Sequence, residues 1–191
     1  MPDKYRLIRD AEIAFARRAA LGMIVRRPVK PLLQLVPGMF IIDFVRRSVE
    51  IRKYTRRYMF PREPALAAAR VAISSGAAPG RAEIEAGLRE VAAGSGLSAE
   101  AAVARWAELV TLLCGHYTRL LEAQGGDYHE LVRKAYGRRR EYEDFLARLT
   151  VAEEEAGRAA GEAPGAGRDA ETLSLRETRR KDIEAIFYGL P

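Results

Sequence analysis

The chain has 191 residues, 48% of them hydrophobic and 30% charged, and its 32 Lys and Arg against 26 Asp and Glu leave a net charge of +6. This balance excludes wholesale disorder. Cys114, the only cysteine, excludes an internal disulfide and a thiolate zinc site, and points to a reducing compartment.

Charge is segregated along the chain. Residues 1–62 hold fifteen Lys or Arg and five Asp or Glu, whereas the remainder is net acidic. Apolar residues recur at three-and-four spacing, with no run of alternating β-branched residues, so the fold class is all-α. The expected architecture is a helical bundle built on a central antiparallel hairpin, with an N-terminal cationic and apolar helical arm and a tethered C-terminal helix.

The first helix is expected over about Asp3 to Val25, with Leu7, Ala14 and Leu21 on one line and Ile8, Ala11, Phe15, Ala19 and Gly22 on another. Its small residues let a second helix approach closely. Ala19 to Val25 is the nearest thing to a signal-peptide core, but arginines bracket it, and the reading predicts no export. Pro28, Pro31 and Pro37 then interrupt the backbone. The run Leu32 to Val45 is shorter than the ~20 residues of a membrane span and contains Gln34, Pro37, Gly38 and Asp43.

A second helix fits Gly38 to Met59, followed by a third that Pro64 opens and Ser75-Gly76 closes, and a fourth over Arg81 to Ala93. On a helical projection of the second, Phe40, Phe44, Ile51, Tyr54 and Tyr58 fall on one side and most of the cations on the other. Ser98 is expected to cap the strongest core helix, on which Val103, Trp106, Val110, Leu113, Tyr117 and Leu120 form a buried stripe. Helix, glycine turn and helix over 81–113 have the style of a DNA-binding hairpin, yet its second helix starts Ala99-Glu100-Ala101-Ala102 and offers no base-edge donors.

Asp127 and Glu130 have capping-box spacing, and one long helix is expected from there to about Ala160, packed back on its predecessor. Residues 161–173 read as a flexible linker, and Ser174 with Glu177 as a second capping box opening the terminal helix. The domain reading is a basic amphipathic N-terminal region (1–76), a hairpin core (77–160), that linker, and a C-terminal docking helix (174–191).

Three sets of binding residues follow. Arg46, Arg47, Arg52, Lys53, Arg56 and Arg57 form a face suited to an anionic surface. Leu32, Leu33, Met39, Phe40, Ile41, Phe44, Ile51, Tyr54 and Tyr58 form an apolar docking set, and Ile183, Ile186, Phe187 and Leu190 a C-terminal one. The expected partners are another protein or a second copy, then an anionic membrane surface, then nucleic acid held by the arginines with Tyr54 or Tyr58 stacking on bases. No small-molecule substrate, cofactor, metal or catalytic residue is expected. His116 and His129 are the only histidines, Cys114 and His116 point to different helix faces, and no phosphate-binding glycine loop or nucleophile elbow occurs. A cytoplasmic protein, peripheral at the inner membrane face, is the compartment these features suggest. An enzyme built on a bundle-core site near the histidines is the reading left over.

Overall fold

In a computed structural model of the chain, the structure describes residues 3–25, 39–77, 80–93, 100–161 and 166–189, and within these not the side chains of Val25, Met39–Phe44, Val91–Ala93 and Ala166–Arg168. Among the described residues the regular elements are all α-helices: α1 (Lys4–Val25), α2 (Met39–Met59), α3 (Arg62–Ser75), α4 (Arg81–Ala93), α5 (Glu100–Glu122), α6 (Tyr128–Tyr136), α7 (Arg139–Ala159) and α8 (Ala166–Tyr188). The chain is an all-α bundle. No described helix is long and apolar enough to cross a membrane.

Helix α5 is the axle. It packs on α3 most extensively and also touches α1, α4, α6 and α7. The expected stripe is present, with Val103, Val110, Leu113, Tyr117 and Leu120 buried and Trp106 half-buried. A second line, Ala102, Leu109 and His116, is buried as well, because a helix with neighbours on several sides has little outward face left. The main core draws Ile8 from α1, Leu66 from α3 and Ile186 from α8 together with α5, α6 and α7. A smaller cluster joins Ala16, Ala19, Ala20, Met23 and Ile24 of α1 to Tyr54 of α2.

On α1 the buried line is Ile8, Phe15 and Ala19; of the line Leu7, Ala14 and Leu21, Leu7 packs against the main core while Ala14 and Leu21 face outward. The small residues admit a helix as expected, and the helix is α8. Ser174 Oγ donates to Ala19 O at 2.6 Å, and Gly22 faces that same side chain so closely that a Cβ would overlap its oxygen. Ser174 therefore serves an interhelical contact instead of a cap. Helix α8 accordingly begins at Ala166, well before Ser174, and takes in much of the expected linker.

The long helix expected over 128–160 is two helices. Asp127 caps α6 by accepting from Glu130 N at 2.9 Å, and the Glu130 carboxylate returns to Gly126 N at 2.8 Å. Gly137 then takes φ +67°, its N–H bonds to Arg133 O at 2.8 Å, and Arg138 is extended at the start of α7. The break costs no buried surface, since Leu131, Tyr142, Phe145 and Leu149 still reach one core. Pro64 lies within the first turn of α3, which opens one residue after Pro61, where a missing N–H is harmless.

A cationic groove beside a buried ion-pair hub

Helices α1 and α2 run antiparallel, with Phe15 stacked on Tyr58 at 5.5 Å and the C-terminal half of α1 against Ile51 and Tyr54. Between them lies a groove of about 330 Å³ lined by Arg9, Arg17, Arg52 and Arg56, together with Ile13, Thr55 and Glu63. Arg9 is paired with Glu63 at 2.9 Å. Arg17, Arg52 and Arg56 are exposed and form no ion pair among the described residues, as does Lys53 beside them. Carried one or two turns further, the same helical lines reach Leu21 on α1 and Val49 and Val45 on α2, exposed by 50%, 43% and 53%.

Of the other cations in the expected face, Arg46 reaches Glu50 at 3.9 Å, Arg47 is half-buried, and Arg57 pairs with Glu171 of α8. Arg18 likewise meets Asp182 at 2.8 Å. Part of the segregated charge is thus neutralised between the two halves of the chain, and Arg17, Arg52 and Arg56, which form no ion pair among the described residues, meet at the α1–α2 groove. The spacing of Arg9, Ile13, Arg17 and Leu21, four residues each, was the available signal for α1's share of it.

The aromatic side of α2 is taken up within the chain. Tyr54 is buried, while Ile51 and Tyr58 pack against the smaller cluster. Of the C-terminal set, Ile186 is fully buried in the main core and Ile183 and Phe187 pack against it. Leu32, Leu33 and Leu190 lie outside the described residues, and the side chains of Met39, Phe40, Ile41 and Phe44 are not described.

Beneath the groove, six helices contribute to one polar hub. Arg62 of α3, 2% exposed, donates from Nη2 to Glu153 of α7 at 2.6 Å and from Nη1 to Tyr58 O at 2.9 Å. Its Nε lies 3.4 Å from Glu12 of α1 without an aligned hydrogen bond, and the guanidinium stacks 3.5 Å from the Tyr58 ring centre. Tyr58 and Tyr117 donate to the two oxygens of Glu12 at 3.1 and 2.9 Å. Arg179 of α8 donates to the other Glu153 oxygen at 2.7 Å and to Thr150 at 2.6 Å.

Two arginines and two glutamates therefore balance, and each needs the others because a lone buried charge is costly. Burial would raise the Glu153 carboxyl, but Arg179 and Arg62 outweigh it and hold it below the ordinary range. Burial also opposes the Arg62 charge, yet Tyr58, Glu153 and Glu12 keep it protonated. Burial pushes Tyr58 and Tyr117 up, so both remain donors.

The hub opens on one side into a cleft of about 140 Å³ bounded by Tyr54, Trp106, Glu154, Glu171 and Arg176, and on the other into a cavity of about 30 Å³ beside His116, Tyr142 and Asp182. The smaller space suits a water, not a substrate. His116 is buried, its Nδ1 2.7 Å from Tyr136 Oη and its ring stacked on Phe145 at 4.4 Å. Burial, then Arg62 and Arg119, lower its pKa to about 3, so the ring is neutral. Among the described residues no group of three or more His, Cys, Asp or Glu is arranged to hold a metal ion. Burial raises the Cys114 thiol, which leaves it a poor nucleophile.

No protein-family model matches the chain, and neither a curated protein nor a solved structure is similar to it.

Proposed function

We propose that the protein is a non-catalytic helical adaptor that docks on an anionic membrane surface through the face shared by α1 and α2. The observation that carries this reading is the convergence of Arg17, Arg52 and Arg56, without ion-pair partners among the described residues, on one groove whose lines continue into exposed Leu21, Val49 and Val45. Cations beside apolar side chains on one face suit a headgroup layer, where each basic residue contributes roughly 1 kcal/mol. Nucleic acid fits less well, because Tyr54 and Tyr58, the rings available for stacking on bases, are engaged in the chain's own packing.

Co-sedimentation with vesicles tests it. The full chain should pellet at low salt with vesicles of phosphatidylserine and phosphatidylcholine, and stay in solution with phosphatidylcholine alone. Retention in the supernatant with both, or equal pelleting with both, would sink the reading. Salt-sensitive binding to single-stranded RNA in place of vesicles would transfer the same arginines to nucleic acid.

A further inference from the structure

On the other side of Arg56 lies a second groove of different chemistry. It measures about 530 Å³, within the usual range of small-molecule sites, and runs between α3 and α4 over Val110 of α5. Phe60, Ala68 and Val71 line one side, and Ile84 and Leu88 the other. Val71 is 55% exposed, and no described side chain of α4 is fully buried.

Arg56 and Glu63 line both this groove and the cationic one. The Glu63 carboxylate is engaged by Arg9, which leaves the Arg56 guanidinium, without an ion-pair partner among the described residues, where the two meet. Glu83 of α4 also lines the apolar groove and repels an anion from its interior, so a negative head is favoured at the Arg56 end. An apolar groove bordered by a cation with no ion-pair partner among the described residues calls for a ligand of the opposite pattern.

We propose that this groove binds a long-chain fatty acid, its hydrocarbon tail laid between α3 and α4 and its carboxylate on Arg56 with Arg52 beside it. The inference shares Arg56 and Arg52 with the surface reading and otherwise stands on the groove alone.

The chain carries its own probe. Trp106 is the only tryptophan, and its ring meets Phe60 edge to face at 5.2 Å, so filling the groove alters its surroundings. The full chain is titrated with decanoate, dodecanoate and tetradecanoate below their micelle concentrations while Trp106 emission is followed. The expected result is saturable binding of one fatty acid per chain that tightens about fourfold for each added methylene. Arg56→Glu should weaken it at least about tenfold, the effect of losing one close charge. Val71→Asp, a change at an exposed position, should abolish it.

No saturable response in the wild-type chain, or Val71→Asp binding like wild type, overturns the proposal. Dodecyltrimethylammonium binding as tightly as dodecanoate overturns the role of Arg56. Vesicle binding separates the two readings, since Val71→Asp should still pellet with anionic vesicles. A wild-type chain that binds dodecanoate but ignores vesicles supports the groove and removes only the surface reading.

Discussion

Arg62 of α3 and Glu153 of α7 meet at 2.6 Å in the interior of the bundle, where Arg179 of α8 takes the second Glu153 oxygen at 2.7 Å. One carboxylate thereby ties α3 to the consecutive helices α7 and α8, which lie far from it in sequence. Glu153→Ala leaves two buried guanidinium groups without their shared counter-ion. The expected loss is about 3–5 kcal/mol of unfolding free energy, measured by urea denaturation. A loss below about 1 kcal/mol would mean that water screens the hub, as it does an exposed pair.

The buried imidazole makes stability depend on pH. His116 has a folded pKa of about 3, below its ordinary value of 6.5. The unfolded chain therefore takes up a proton that the folded chain refuses, and the stability contributed above pH 6.5 is lost as pH falls toward 3. The slope approaches about 1.4 kcal/mol per pH unit at its steepest. Urea midpoints taken between about pH 6.5 and 5 should slope for wild type and flatten for His116→Phe. Slopes are the quantity to compare, since the variant also leaves the Tyr136 hydroxyl without its partner. Glu153 acts in the same direction but lower, because its depressed pKa places its loss below the ordinary carboxylate range.

Contact between α1 and α8 depends on a missing side chain. A methyl group at position 22 collides with Ser174 Oγ, which is held in place by Ala19 O. Gly22→Ala should cost about 1–3 kcal/mol by overpacking. Adding Ser174→Ala should restore part of it, so the double variant is more stable than the sum of the single effects predicts. Additive thermal shifts across the four chains would show that the helices separate freely there.

Surface docking predicts an additive loss. Arg17→Glu, Arg52→Glu and Arg56→Glu alter exposed side chains and should leave the thermal midpoint within a few degrees of wild type. Removing three cations at roughly 1 kcal/mol each weakens vesicle binding by about a hundredfold or more. Raising the salt should weaken the wild-type chain and have little effect on the variant. Co-sedimentation at two ionic strengths measures both, and a triple variant that pellets like wild type places the contact elsewhere.

Several elements were legible because their causes are local. The stripe from Val103 to Leu120 follows from helical periodicity, and the Asp127–Glu130 cap from two side chains three residues apart. The break at Gly137 was not, since the apolar heptad-like line from Tyr128 to Ala152, interrupted only by Arg138, reads as one helix and it is the positive φ of one glycine that divides it. The cationic face was half legible. Arg52, Lys53 and Arg56 were marked by their own helix, but Arg9 and Arg17 join them through packing of α1 on α2, which no spacing within α2 reveals.

By itself, then, the sequence determined the helical class, most helix limits and the excess of positive charge near its start, because periodicity, caps and composition act within a few residues. Tertiary structure alone decided which charges remain available. Glu12, Arg62, Glu153 and Arg179 are spread across the chain and look like ordinary surface residues one at a time, yet burial makes each the others' necessary partner. Arg17, Arg52 and Arg56, which have no ion-pair partner among the described residues, meet in one groove because two helices place them there, and that placement is a property of the packed bundle.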